Sequence, residues 1–220
     1  MDLSPPRVAI VTGAAQGIGR AIALRLADDH LEVAVNDLAS RTDQLQELVS
    51  QIQTRGGRSL AVPADVSKED DVRDMIAMVV HEFGSLDMVA NAGISIIKPL
   101  IELSLGDFDK ITSVNLRGVM LCYKHAAIQM IQQGRGGRIL AMASTSAYSA
   151  TKFAVRGLTQ STELSKYDIT VNAYAPGVIR SPMGAGEPEV VASLVSYLIK
   201  PEAYFITGQT IMVNGGLVLD

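Results

Sequence analysis

Short apolar runs alternate with longer amphipathic stretches along the chain. The amphipathic stretches place apolar residues at helical spacing and predict helices over residues 16–29, 45–52, 70–83, 106–133, 147–167 and 188–199. The runs between them are strand-sized and mostly apolar, at residues 7–12, 32–37, 59–62, 86–90, 138–143, 169–175 and 209–213. Strands that are apolar on both faces and separated by helices indicate a parallel sheet covered on both sides. We therefore expect one α/β domain over residues 1–220, a Rossmann-type doubly wound parallel sheet of about seven strands with helices on both faces.

Composition and charge exclude several classes of function. The 220 residues are 48% hydrophobic and carry a net charge of −4, which suits one sizeable core and disfavours both disorder and a nucleic-acid partner. No stretch approaches the roughly 20 apolar residues that span a bilayer, and the first residues lack the features of a signal peptide. The single cysteine, Cys122, excludes an intramolecular disulfide and a cysteine-rich zinc site. We expect a cytoplasmic protein without a membrane partner or a metal.

A glycine-rich turn, residues 12–19, follows the first predicted strand. Gly13 can adopt backbone angles that are unfavourable for other residues, Gly17 lets the main chain approach a pyrophosphate, and Gly19 lets the helix pack closely on the strand. The N-terminus of the following helix adds N–H groups and a partial positive charge. A turn with a purely structural role is the alternative. The pattern favours dinucleotide binding, with contacts from Gly13, Gln16, Gly17, Ile18 and Gly19.

Asp37 ends the second predicted strand, 24 residues after Gly13. Its carboxylate can accept hydrogen bonds from both hydroxyls of an adenosine ribose and would repel a 2′-phosphate, which favours NAD(H) over NADP(H). Arg41 is the only nearby group that argues for NADP(H). The alternative is that Asp37 only caps the following helix.

A second motif, Tyr148-Ser-Ala-Thr-Lys152, joins the glycine turn, and together the two resemble the short-chain dehydrogenase/reductase family. Asp65 before Val66, Asn91-Ala92-Gly93 after the fourth strand, Asn115 on the long helix and Pro176-Gly177 after the sixth strand extend the resemblance over nearly the whole chain. Within the family, the segments at 148–160, 169–177, 195–198 and 206–209 look most like the acetoin/diacetyl reductases, or 2,3-butanediol dehydrogenases.

The resemblance implies that a hydride passes between a nicotinamide and a small ketone or secondary alcohol, with Tyr148 as general acid and base. Lys152 lies one helical turn from Tyr148, so its ammonium can stabilise the phenolate. Ser144, or its rival Ser146, would hydrogen-bond the substrate oxygen, and Asn115 would anchor a proton-relaying water. The alternatives are a surface Tyr–Lys pair and a buried helix asparagine that bonds the main chain.

The resemblance also implies further cofactor contacts and a homotetramer that pairs its long helices. The additional contacts are Asp65, Val66, Asn91, Ala92, Gly93, Tyr148, Lys152, Pro176, Gly177, Ile179 and Ser181.

The chain is contracted relative to the family pattern at three places. Ser144 precedes Tyr148 by only four residues, where relatives have about a dozen, which leaves little reach for a turn. A substrate lid of a few dozen residues is missing after Met183. A two-residue contraction near 162–163 falls inside a predicted helix and would rotate its second half by about 200°.

Two explanations of these contractions remain. Either the protein is naturally shortened or the sequence lacks segments of a longer chain, and we favour the second because the two longer contractions fall at mobile active-site loops. A mass well above 23.4 kDa would support the second explanation.

The contracted site also motivates an alternative function, that of a non-catalytic NAD(H)-binding sensor or scaffold. A Rossmann-type methyltransferase is a weaker alternative, which the Tyr–Lys pair disfavours.

Overall fold

The structure is a computed structural model of the chain. It describes residues 7–91, 93, 100–143, 150–161, 163–177 and 186–216, and of residues 88–91 and 100 it describes the backbone alone. No helix within these ranges combines the length and the apolar character needed to cross a membrane.

Seven strands of the described residues form one parallel sheet, as the apolar runs predict. They are β1 (Val8–Thr12), β2 (Glu32–Asn36), β3 (Ser59–Ala61), β4 (Met88–Asn91), β5 (Gly137–Met142), β6 (Ile169–Pro176) and β7 (Thr210–Val213). Their order is β3-β2-β1-β4-β5-β6-β7, and every neighbouring pair is parallel. This order confirms the predicted doubly wound topology.

Helices connect the strands and cover both faces of the sheet. They are α1 (Gly17–Asp28), α2 (Thr42–Thr54), α3 (Glu69–Phe83), α4 (Leu105–Thr112), α5 (Val119–Gln133), α6 (Ala150–Ser161) and α7 (Pro188–Leu198). Helices α1, α2 and α7 share one core with Ala9 and Val11 of β1, whereas Val8 and Ile10 pack with α3, α5 and α6. Successive side chains of β1 thus enter opposite cores, and each fully buried aliphatic side chain contributes about 1.5–3 kcal/mol.

The order of the strands places a crevice beside β1. The chain runs outward from β1 to β2 and β3, and then returns to the other side of β1 as β4. In open α/β sheets, ligands bind at such a switch point, outside the carboxyl ends of the strands. The glycine turn and Asp37, which directly follows β2, both lie at this edge.

The long helix predicted at 106–133 is interrupted. A π-helical segment, Ser113–Gly118, separates α4 from α5. An insertion of this kind widens one turn and is common at functional sites, and hydrophobic periodicity does not reveal it. The predicted helix at 147–167 is also wrong at its C-terminal end, because α6 ends at Ser161 and Ser165–Tyr167 form a separate 3-10 turn.

A left-handed residue separates the 3-10 turn from β6. Asp168, at the C-cap of the turn, has a φ of 58°, so no helix continues from the turn into the strand. Leu164 still packs against the core, so its spacing imitates a longer helix. The two-residue contraction near 162–163 therefore follows the helix, and the expected rotation of a helical half does not arise.

Candidate functional site

The glycine turn has the backbone geometry that its sequence predicts. Gly13 and Gly17 have positive φ angles of 68° and 57°. A Cβ atom at Gly19 would collide with the carbonyl group of Gly13, so only glycine lets α1 approach the turn this closely. Nothing lies within 4 Å of the position that a Cβ atom of Gly17 would occupy, which leaves open space over the start of α1.

The N-terminus of α1 lies beside this space and has no side-chain N-cap. Gln16 occupies the N-cap position and its side chain makes no capping hydrogen bond, while the first turn contains no acidic residue. The N–H groups of this turn have no partner within the helix, and they carry the positive end of the helix dipole. The turn therefore fits a bound phosphate.

A cavity of about 430 Å³ opens at this edge, and we call it the crevice. The glycine turn from Gly13 to Gly19 lines one side of it, and Asp37, Asp65, Val66 and Gly93 line other parts. Arg41, Lys110, Val114 and Met142 also line the crevice. The structure thus brings together nine of the predicted contact residues around one space of ligand size.

Asp37 connects the turn to β2. One carboxylate oxygen accepts a hydrogen bond from the N–H of Ala15 at 3.2 Å, and the other accepts one from the N–H of Leu38 at 2.9 Å. The carboxylate therefore ties the glycine turn to the end of β2. The alternative that Asp37 only caps α2 is wrong, because Arg41 occupies the N-cap position of that helix and no side chain caps it. Because an ionised carboxylate offers about four acceptor sites, Asp37 retains capacity for a ligand.

The part of the crevice at Asp65 and Val66 depends on two residues that sequence analysis missed. Buried Asn36 donates from its amide to the carbonyl groups of Val62 and Ala64, at 2.8 and 3.2 Å, which ties β2 to the segment before Asp65. A Cβ at Gly118 would lie 3.1 Å from a methyl group of Val66, so this glycine lets the π-helical segment approach. Asn36 could have been suspected as a polar residue in an apolar strand.

Lys152 and Asn115 converge at Gly93, which lines the crevice. Lys152 is only 1% exposed, and its ammonium donates to the main-chain carbonyl of Met142 at 2.7 Å. A Cβ at Gly93 would lie 2.6 Å from the amide oxygen of Asn115 and 2.7 Å from the Lys152 nitrogen. Both groups therefore border the small space that Gly93 keeps open. The π-helical segment carries Asn115 into this fully buried position.

Burial changes the acidity of Lys152. Removal of the ammonium from water lowers its pKa from 10.5 to about 8, because the charged form loses solvation. The side chain can therefore exchange a proton near neutral pH. The acceptor that fixes it, the carbonyl of Met142 at the end of β5, has no signal in the sequence because any residue supplies a carbonyl.

The remaining predicted site residues are not among the described residues that line the crevice. Ser144, Tyr148, Ala92, Ile179 and Ser181 lie outside the described residues, and so does Ser146. Asn91 is the last residue of β4, and Pro176 is the last residue of β6. Gly177 donates its N–H to the carbonyl of Val213 at 3.0 Å, and a Cβ atom at Gly177 would lie 2.8 Å from Asn214, so Gly177 packs against the end of β7.

Across the described part of the chain, no cluster of three His, Cys, Asp or Glu residues could hold a metal ion.

Comparisons with known proteins agree with this geometry. Residues 7–190 match the model of the family described as short chain dehydrogenase. A short-chain dehydrogenase/reductase of Armillaria gallica is 47% identical over 257 aligned positions, which cover 100% of this chain and 98% of that protein. A 3-oxoacyl-[acyl-carrier-protein] reductase of Staphylococcus epidermidis is 39% identical over 242 positions, covering 96% and 98%. The crystal structure of acetoin dehydrogenase from Enterobacter cloacae superposes with a TM-score of 0.89 at 31% identity, covering 97% of this chain and 96% of that one.

The alignment with the Armillaria protein also bears on the contractions. Its 257 positions include all 220 residues of this chain, which leaves 37 positions without a residue here. A difference of this size agrees with the three contractions that the sequence predicts.

Proposed function

We propose that the chain, which belongs to the short-chain dehydrogenase family of oxidoreductases, uses NAD(H) to interconvert a small ketone of the diacetyl or acetoin type and the secondary alcohol. The convergence of Lys152 and Asn115 beside the crevice carries this proposal. The same proposal includes a cytoplasmic location and a homotetramer. Exposed apolar side chains of α4 and α5, namely Leu105, Phe108, Met120 and Ile128, support the paired helices of that tetramer.

The described residues fit a nicotinamide dinucleotide. The glycine turn and the N-terminus of α1 would hold its pyrophosphate, because Gly17 leaves the space and the helix leaves its N–H groups available. Asp37 would accept hydrogen bonds from the adenosine ribose, and its charge supports a preference for NAD(H) over NADP(H). When bound, the nicotinamide supplies or accepts the hydride.

The proton chemistry is assigned to Tyr148, whose hydroxyl would protonate the substrate oxygen in reduction and remove its proton in oxidation. A tyrosine has a pKa of about 10, so the Lys152 ammonium must stabilise the phenolate before it can act near neutral pH. The pKa of Lys152 at about 8 suits proton exchange with a water held at Asn115. Ser144 would hydrogen-bond the substrate oxygen as charge develops on it.

The substrate class is supported by two observations from relatives. The Enterobacter structure is titled an acetoin dehydrogenase, and the Staphylococcus relative is named a 3-oxoacyl reductase. Both names describe interconversion of a ketone and an alcohol. The segments of scaffold shared with acetoin/diacetyl reductases favour the small ketone.

The test is a kinetic assay at 340 nm with diacetyl, acetoin and short polyols, with NADH or NAD. We expect Tyr148→Phe to abolish turnover while NADH binding, followed by fluorescence titration, is retained. Tyr167→Phe is the matched control, because Tyr167 is 40% exposed in a separate 3-10 turn. A Tyr148→Phe variant with wild-type turnover would refute the assigned role.

A second candidate function is favoured by the 37 alignment positions that the chain lacks. In this alternative the protein binds NAD(H) as a sensor or scaffold and catalyses nothing. Binding of NADH without turnover of any diketone, acyloin or polyol would favour it.

A further inference from the structure

A buried hydrogen bond joins α5 to α6. The hydroxyl of Tyr123 on α5 lies 2.9 Å from the hydroxyl of Thr159 on α6. Tyr123 is 4% exposed and Thr159 is 1% exposed, so both ends of the bond are shielded from solvent. A buried hydroxyl without a partner costs free energy, and each of these two hydroxyls supplies the partner of the other. The mechanism proposed above uses neither residue.

The two ends of this bond lie on the elements that hold the buried site. Thr159 follows Lys152 by seven residues on α6, which places it two helical turns, about 10 Å, along the same face. Tyr123 follows Asn115 by eight residues, and α5 continues directly from the π-helical segment that carries Asn115. The bond therefore connects the two elements whose polar groups meet at Gly93.

Apolar packing around the bond does not by itself fix the two helices along their axes. Val119 of α5 packs in the same core as Val155 and Leu158 of α6, but hydrophobic contacts have no preferred direction. A hydrogen bond between hydroxyls requires a distance of about 2.5–3.0 Å and a near-linear geometry. Burial also raises the pKa of the Tyr123 phenol, so the hydroxyl keeps its proton across the pH range of an assay. The bond therefore fixes how far α6 extends past α5.

Small displacements of α6 matter because Lys152 is held by short contacts. Its ammonium donates to the carbonyl of Met142 at 2.7 Å, and it borders the narrow space over Gly93. A shift of α6 by about 1 Å would lengthen that bond beyond the usual range. Misplacement of a catalytic group by about 1 Å can lower a rate by about 100-fold.

We propose that the hydrogen bond between Tyr123 and Thr159 holds Lys152 in register with Asn115, so that both hydroxyl residues are positioning residues that act through Lys152. The proposal rests on the proposed function, since it concerns the same lysine. A purely structural role would only supply two buried hydroxyls with partners, and the experiments below separate the two roles.

The kinetic test removes either end of the bond and measures turnover of diacetyl with NADH. We expect Tyr123→Phe and Thr159→Val to lower kcat by about tenfold, while the KM for diacetyl and the dissociation constant of NADH change by less than about twofold. Thr159→Ser keeps a hydroxyl at this position and should retain at least about half of the wild-type kcat.

Two further variants separate positioning from stability. Ser196→Ala is the matched control, because Ser196 is fully buried on α7 and its hydroxyl donates to Asp29 at the end of α1 at 2.5 Å. Its kcat should stay within about twofold of wild type. The double variant Tyr123→Phe/Thr159→Val leaves no hydroxyl unsatisfied, so its midpoint of urea unfolding should return towards that of wild type, whereas its kcat should remain about tenfold lower.

A second measurement reports on Lys152 without turnover. Acetic anhydride modifies accessible amines, and mass spectrometry of peptides gives the extent of reaction at Lys152 relative to the exposed Lys68. Because Lys152 is 1% exposed, it reacts only when the site opens. Loss of the bond should raise this ratio about fivefold in both single variants and in the double variant, and Ser196→Ala should leave it unchanged.

Three outcomes would overturn the proposal. Recovery of wild-type kcat in the double variant, together with its stability, would show that the two hydroxyls only satisfy each other. Single variants with wild-type kcat and wild-type labelling of Lys152 would show that the bond does not hold the lysine. If wild type turns over no ketone or alcohol, the proposed function fails, and the labelling ratio alone then decides: an unchanged ratio in Tyr123→Phe refutes the positioning of Lys152.

Discussion

Lys152 allows a quantitative test of the buried site without any substrate. Its ammonium is 1% exposed, and burial lowers its pKa from 10.5 to about 8. That difference in pKa means that the folded protein destabilises the charged form of the lysine, relative to the neutral form, by about 3 kcal/mol compared with the unfolded chain. The perturbation we consider is Lys152→Met, which keeps a similar side-chain length and removes the titrating group.

The sign of the pH dependence follows from proton binding. Between about pH 8 and pH 10.5 an unfolded chain keeps the proton on this lysine, whereas the folded protein has lost it. Stability rises with pH wherever the unfolded state binds more protons. From pH 7 to pH 9.5, the free energy of unfolding of wild type should therefore rise by about 2 kcal/mol relative to Lys152→Met.

The assay is urea unfolding of the cofactor-free proteins, followed by circular dichroism and extrapolated linearly to water at each pH. Both proteins carry Tyr148→Phe, because Tyr148 is proposed to titrate together with Lys152, and their comparison then cancels the groups that titrate independently of Lys152. Lys124→Met serves as the control for loss of a lysine, because Lys124 is half exposed and forms an ion pair with Glu69 at 2.7 Å. A difference between wild type and Lys152→Met that stays constant to within about 0.5 kcal/mol from pH 7 to pH 9.5 would refute the burial of the charge.

Three further substitutions test other parts of the site. Gly93→Ala places a methyl group 2.6–2.7 Å from Asn115 and Lys152 and should lower kcat at least tenfold in steady-state kinetics. Gly157→Ala on α6 is its control and should leave kcat unchanged, because nothing lies within 4 Å of the position that its Cβ atom would occupy. Asp37→Asn removes the negative charge beside the proposed ribose position and should shift the ratio of the NADPH and NADH affinities about tenfold towards NADPH, as measured by fluorescence titration. An unchanged ratio would contradict the proposed contact of Asp37 with the adenosine ribose. Asn36→Ala leaves one buried and one partly buried carbonyl group without this donor and should lower the free energy of unfolding in urea by about 1–3 kcal/mol. A loss below about 0.5 kcal/mol would contradict the bridging role.

The sheet could be predicted because its strands are apolar on both faces. Val8, Ala9, Ile10 and Val11 are all fully buried, as expected for a parallel strand between two layers of helices. The ends of elements could not be predicted so well. The spacing of Leu164 extends the pattern of α6 into a turn, since burial against the core does not require a helix.

The site could be predicted only where side-chain identity carries the chemistry. Glycines in the turn and a carboxylate after β2 are visible in the sequence, and the structure places both at the crevice. The acceptor for Lys152 is a main-chain carbonyl, and the clearance that Gly93 provides depends on where the π-helical segment and α6 approach each other. Such contacts follow from the order of the strands and not from the composition of any one segment.

The three contractions lie away from the described lining of the crevice. The residues that line the described crevice lie in β1, β2, β5, α1 and α4 or in the segments that follow β1 to β4 and α4, and none lies at the shortened places after Ser144, near 162 or after Met183. The pairing of β5 with β6 also runs without a break from Gly137 and Ile169 to Met142 and Tyr174. We therefore expect the contacts of NADH with the glycine turn, Asp37 and Asp65 to be independent of these contractions. Mass spectrometry of the protein from its natural source, compared with 23.4 kDa, shows whether the substrate side carries additional residues. A mass of 23.4 kDa together with full turnover would show that the reaction does not need them.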